Sequence, residues 1–239
     1  MRASLLVAVP FTTRRKRESA WWRVPYSVGN ARSTSGCERV VARRVQTWQN
    51  MATMSELNSS LLVAMPQLDD PNFRRAVVLL VHHSAGGSFG IVLNRSLDLS
   101  IGELMQNSGI QWPVGIGSVG WGGPVQPERG WVVFTDDSPA TPPTDDEDVA
   151  TLRQGVCVTG SLEMLRTVAN QPPSEIRLFL GYAGWDADQL ESELAEGAWL
   201  LAPLRRELIF ETDQDDMWEA VVRGLGVEPT ALVPARGIH

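Results

Sequence analysis

The residues GYAGWDADQLESELAEGAW, 181–199, spell a strand running into a capped helix. The run from Ile176 to Tyr182 supplies β-favouring Ile, Leu, Phe and Tyr, and the chain then turns through Ala183 and Gly184. Asp186 stands at the N-cap position with Gln189 three residues on, which is capping-box spacing. Trp185 and Leu190 flank that cap as a hydrophobic staple that fixes the entry angle of the helix. Leu190, Leu194 and Ala198 form its apolar stripe, and Gly197 suits a left-handed C-cap.

Working outward, residues 76–94 read as a hairpin: an apolar strand AVVLLVH, a turn of small residues HSAGGS, and a second strand FGIVLN. Ser60–Met65 is a strand ended by Pro66. Ser100–Gln106 reads as a short helix capped by Ser100 with Glu103 at N3. Gln111–Gly123 is Gly/Trp-rich and irregular, and Asp136–Asp148 is an acidic Pro/Asp/Thr loop. Val125 and Trp131–Thr135 flank Pro127–Gly130 as a strand pair. Gly155–Thr159 is a strand, and Ser161–Ala169 a helix capped by Ser161. Trp199–Ala202 and Glu207–Phe210 read as short strands, and Asp213–Arg223 as a last helix with Trp218, Val221 and Val222 on its apolar face. Hairpin-connected strands with about four short helices give an α+β class: one compact domain with a mixed or largely antiparallel coiled sheet.

Five ordered blocks carry a resemblance: LLVAMPQLDDPNF (61–73), HSAGGSFGIVLN (83–94), GGPVQPERGW (122–131), GYAGW followed by QLE, and a terminal Trp218 followed by Leu225-Gly226-Val227. Together they are similar to the YqgE/AlgH family over roughly residues 57–239. The resemblance implies one α+β domain with a coiled sheet packed on helices. Its functional implication is coarser, since some members are labelled transcriptional regulators of exopolysaccharide production. His82 stands where the family more often has Glu, whereas His83 matches.

Charge is divided along the chain. Residues 1–50 hold ten Lys/Arg and two acids, while the remainder holds 11 basic and 26 acidic residues. Residues 1–53 are therefore expected to be a disordered extension, either an early-called start ahead of Met51 or Met54 or a targeting segment, with 54–239 as the domain. If the extension is a start artefact the protein is expected in the cytoplasm, and organelle import is the reading if it is a genuine transit segment. An acidic domain argues against direct DNA binding, which places Lys/Arg on phosphates. Cys37 and Cys157 make no disulfide framework, and no apolar run reaches membrane-spanning length.

Motifs for chemistry are sparse. Gly86–Gly90 matches G-x-S-x-G, but Ser88 lies between two strands and no His follows with a suitable acid, so the glycines are read as hairpin-forming. Gly115–Gly120 matches G-x-G-x-x-G without a preceding strand or a following helix. His82 and His83 point to opposite faces of a strand and cannot share a metal. No catalytic residue, metal or cofactor is assigned. Asn94, Arg95 and Arg129 close strand ends beside Gly-rich turns, and with His83, Tyr182, Trp185 and Gln189 they are the candidate ligand-binding set. The favoured role is regulatory, through a protein or small-molecule partner. The alternative is a small-molecule binding protein or weak enzyme for a phosphate- or carboxylate-bearing ligand.

Overall fold

Alternating apolar side chains along the central strands send successive residues to opposite faces of one curled sheet, and helices cover both faces. The computed structural model describes residues 57–108, 110, 112, 118–137 and 149–232. The basic extension, the first half of the G-x-G-x-x-G stretch, most of the acidic loop and His239 lie outside these residues.

Ten strands run in chain order: β1 (Ser60–Ala64), β2 (Val77–Ser84), β3 (Gly87–Val92), β4 (Ser96–Ser100), β5 (Ser118–Trp121), β6 (Val125–Thr135), β7 (Val149–Thr151), β8 (Val156–Thr159), β9 (Ile176–Trp185) and β10 (Trp199–Pro203). The sheet order is β10-β1-β2-β3-β9-β6-β8-β7, with the β4–β5 pair joined to β9. Every pairing is antiparallel except β5 with β9. Among the described residues the α-helices are α1 (Ile101–Ser108), α2 (Leu162–Asn170), α3 (Gln189–Ala195), α4 (Arg206–Phe210), α5 (Gln214–Gly224) and α6 (Pro229–Leu232). The α+β expectation with a coiled, largely antiparallel sheet is met.

One face gathers Leu61, Val63, Leu79, Ile91, Val133 and Phe179 under α4 and α5, whose Ile209, Met217, Trp218 and Val221 are buried against it. Trp218 also donates its Nε1–H to the Ala64 carbonyl at 2.8 Å, so the indole is both packed and satisfied. The other face carries two clusters. Leu62, Val78, Leu80, Val92 and Trp185 lie with Leu190 of α3. Val132, Phe134, Cys157 and Leu178 lie with α1 and α2.

Strand β9 ties the blocks together, pairing with β3, β5 and β6. It crosses the β5–β6 turn so closely that a Cβ on Gly123 would overlap the Tyr182 backbone, and one on Gly181 the Gly123 carbonyl. Both glycines sit at positive φ, 149° and 74°. The GGP and GYAGW blocks are thus two halves of one contact.

Three expectations are corrected. Residues 206–210 are helix α4 rather than a strand: Arg205 and Arg206 open it, and apolar Leu208, Ile209 and Phe210 pack on the α5 face. Residues 125–135 form one strand, not a pair. The sequence PERG bulges between Val125 and Gly130 while the chain stays paired to β9. Strands β4, β5 and β7 were not expected: β5 and β7 are only four and three residues long, and β4, SLDLS, alternates over only five. Helix α3 begins at Gln189 because Asp188 adopts left-handed φ/ψ (φ 62°). Gln189 Oε1 still accepts from the Asp186 amide at 3.0 Å, as the capping spacing foretold. Gly197, at φ 74°, ends the helix.

Candidate functional site

Helix α3 lies across the β3/β9 end of the sheet with Leu190 pointing into the core between two polar clusters. On one flank Glu193 sits between two indoles. Its Oε2 accepts from Trp185 Nε1 at 3.0 Å and from Trp199 Nε1 at 2.7 Å, and its Oε1 accepts from Gln189 Nε2 at 2.9 Å. The charge of Glu193 is therefore held by three neutral donors. A cleft of about 160 Å³ opens here, lined among others by Asp70, Phe73, Trp185, Glu193, Glu196 and Trp199.

The three rings form a box. Phe73 and Trp185 face each other at 25° with centroids 6.5 Å apart. Trp199 stands across both, at 73° and 5.6 Å from Phe73 and at 77° and 5.9 Å from Trp185. Two further carboxylates stand at the cleft. Asp70 Oδ1 accepts from the Asn72 amide at 2.7 Å, and Glu196 Oε1 from Ser192 Oγ at 3.4 Å. Among the described residues no cationic side chain is within ion-pair distance of Asp70, Glu193 or Glu196.

On the other flank of α3, His83 is buried. Its Nδ1 shares a 2.8 Å hydrogen bond with Ser88 Oγ, and its Nε2 faces Glu191 Oε1 at 3.4 Å without hydrogen-bond alignment. Ser88 is the cross-strand partner of both His83 and Trp185, which puts all three on one face. The structure thus gives the G-x-S-x-G serine a His and an acid. Ser88 is nevertheless 8% exposed, within a paired strand, and the imidazole is fully enclosed. The trio fastens the hairpin to α3. His82 points the opposite way and is exposed, as the strand alternation requires.

The seven sequence-derived candidates do not share one site. Trp185 and Gln189 line the cleft, and His83 lies across α3 from it. Asn94 brackets the chain, accepting from the Val77 amide and donating to the Arg75 carbonyl, both at 2.8 Å. Arg95 is held by the Arg74 carbonyl at 2.8 Å. Tyr182 and Arg129 lie on the opposite face of β9 from Trp185. There Tyr182 packs with Phe89 and Trp131 (centroids 5.2 and 6.1 Å), and Arg129 stacks over Trp131 at 4.5 Å. Burial pushes the Tyr182 hydroxyl above its ordinary pKa, with Arg129 opposing. Phe73 and Asp70 were not among the candidates, Trp199 was read as core, and Glu193, four residues after Gln189, was weighed for acid–base work but read as part of an exposed helix face. The signal was present, since α3 is bounded by Trp185 and Trp199 and carries an acid on the turn facing both. An i, i+4 Gln/Glu pair on a short helix, however, ordinarily reads as a solvated face.

Elsewhere charge serves the fold. Arg177 donates to the Ile209 and Leu93 carbonyls, both at 2.8 Å, and burial lowers its pKa to about 10. Asp137 accepts from the Ser174 hydroxyl and amide, which hold its carboxyl at about 2, and Arg206 pairs with both Glu175 and Asp137. Burial raises the Cys157 thiol, as suits an inert core residue. Among the described residues no group of three or more His, Cys, Asp or Glu is arranged to hold a metal ion, and no helix is long and apolar enough to cross a membrane.

Comparison with known proteins agrees with this architecture. A family model described as AlgH-like matches residues 61–230. A UPF0301 protein of Myxococcus xanthus is 40% identical over 188 residues, 78% of this chain and 100% of that one. A UPF0301 protein of Alcanivorax borkumensis is 37% identical over 77% of this chain and 96% of its own. The solution structure of the AlgH protein from Pseudomonas aeruginosa superposes with TM-score 0.60 at 31% identity, covering 79% of this chain and 99% of that one. Protein DIP2367 of Corynebacterium diphtheriae shares the fold with TM-score 0.62 at 22% identity, over 78% of this chain and 94% of that one. With its ordered motifs, its curled sheet and these relatives in agreement, the chain belongs to the AlgH-like family.

Proposed function

We propose that this chain is a binding protein that exerts a regulatory role through a partner, and that the partner presents a positively charged group to the cleft under α3. The observation that carries this reading is Glu193. It is a carboxylate set among aromatic rings, held by two indole N–H groups and an amide, with no cationic neighbour in ion-pair distance among the described residues. Such a site favours a cation through its carboxylates. The anionic-ligand alternative draws less support. Arg95 and Arg129 stand on separate parts of the fold, each already engaged. Phosphate, and hence a DNA backbone, would meet the carboxylates of Asp70, Glu193 and Glu196 at this cleft. A cytoplasmic setting and a domain spanning 54–239 belong to the same proposal.

Thermal unfolding of the full chain with choline, agmatine and methylguanidine, against phosphate, citrate and duplex DNA, tests it. A cation at about 100 times its dissociation constant stabilises the fold by about 2.7 kcal/mol. Stabilisation by the anions, with none by any cation, overturns the reading.

A further inference from the structure

We infer that the cationic group is the guanidinium of an arginine side chain carried on a partner polypeptide. This rests on the cleft being the ligand site and goes on to name the occupant. Size comes first. About 160 Å³ is smaller than the ~300–1,000 Å³ of pockets that enclose whole metabolites, and it accommodates one side chain. A partner whose main chain stays outside and inserts one anchor suits it, and arginine is prominent among such anchors.

Shape comes second. The Phe73 ring borders the cleft with the indoles of Trp185 and Trp199, which are 6% and 1% exposed and pack on one another, so their N–H edges, bound to Glu193, meet it rather than their faces. A narrow cleft of this kind suits a flat cation better than a bulky tetrahedral ammonium.

Donor count comes third. Glu193, Glu196 and Asp70 together have more acceptor positions than Gln189, Ser192, Asn72 and the two indoles fill. A quaternary ammonium donates nothing to these, whereas guanidinium offers five N–H donors in a planar fork. The chain itself uses the same chemistry elsewhere: Arg129 stacks on Trp131, Arg75 on Trp218 at 5.0 Å and Arg177 on Phe179 at 4.9 Å. Around Trp185 and Trp199 the charge partner within the chain is instead a carboxylate.

The test follows the indole N–H signals of Trp185 and Trp199 by NMR in the full chain, since both donate to Glu193 and report on its surroundings. Probes are acetylated, amidated pentapeptides Gly-Gly-X-Gly-Gly with X as Arg, Lys, trimethyllysine or citrulline, together with free agmatine and choline. The arginine peptide is expected to move both signals and to bind about tenfold tighter than the uncharged citrulline isostere. The lysine and trimethyllysine peptides should bind more weakly than the arginine one. Glu196→Gln, at an exposed position that leaves the indole bonds intact, should weaken the arginine peptide severalfold without changing the fold. Equal binding of the citrulline or a lysine peptide overturns the guanidinium assignment while leaving a ligand site in place. Agmatine binding as tightly as the arginine peptide overturns the polypeptide source. If neither choline, agmatine nor any peptide moves the indole signals, the cleft reading itself fails.

Discussion

Two aromatic trios lie on opposite faces of β9, and they differ in how their charge is answered. Phe89, Trp131 and Tyr182 are met from within the chain, because Arg129 lies over Trp131 and is tied to Gln126 Oε1. Phe73, Trp185 and Trp199 surround a carboxylate and a cleft. The first carries its cation within the chain, although the buried Trp131 Nε1–H has no hydrogen-bond partner among the described residues. The second spends two indole N–H groups and a glutamine on orienting one negative charge, which the core packing of α3 does not require. The contrast separates an aromatic cluster answered by a cation of the chain from one answered by a carboxylate.

The contrast can be broken most forcefully at the rings. Trp185→Ala should cost about 3–5 kcal/mol in urea unfolding and abolish the response to cations. Trp131→Ala should destabilise while leaving that response intact, and equal loss of the response in both variants would erase the distinction. Next in size is Glu193→Ala, which strands two indole N–H donors and should cost about 1–3 kcal/mol. If Glu193→Ala is neutral in stability and still binds cations, Glu193 is incidental. Arg129→Ala should cost about 0.5–1 kcal/mol, the value of an exposed cation–π contact, and should not alter cation binding at the cleft. The smallest effect sharpens the comparison with a charge that belongs to neither trio. The Asp137 carboxyl is held at about 2, below its ordinary 3.8, by Ser174. A carboxyl depressed in the fold contributes stability above its unfolded pKa and loses it as pH falls towards the folded value. Asp137→Asn should therefore flatten acid unfolding between about pH 4 and 2 while leaving cation binding at neutral pH unchanged. An unaltered acid profile would remove that role.

How much of this was legible in the sequence follows from what each residue answers to. The β2–β3 hairpin and the Gly197 cap are local, so adjacent residues encode them, whereas the staple expected about Asp186 is displaced because the N-cap is Asp188. Helix α4 was read as a strand because five residues cannot show a helical period, and packing against α5 set the outcome. β5 lies in a Gly/Trp-rich stretch and is a strand because β9 receives it in parallel. The candidate site was half legible. Trp185 and Gln189 stood out by their capping spacing, but Asp70 and Phe73 reach the cleft from more than a hundred residues away, and no spacing rule joins them to α3. Asn94 and Arg95 looked like ligand donors because strand-end polar residues are often free. Here the backbone at and just before the start of β2 takes them.

The three-partner role of β9 has a consequence for how the chain acquires its shape. β9 pairs with residues near 90, 120 and 130, so the sheet cannot close until residues 176–185 have left the ribosome. Before that, β2–β3 is a hairpin with a short loop and low closure entropy, while β5 and β6 have no central strand. Assembly is thus back-loaded in synthesis, with high contact order and slow closure. Pulsed hydrogen exchange during refolding should find the amides of β2 and β3 protected ahead of those in β5, β6 and β9.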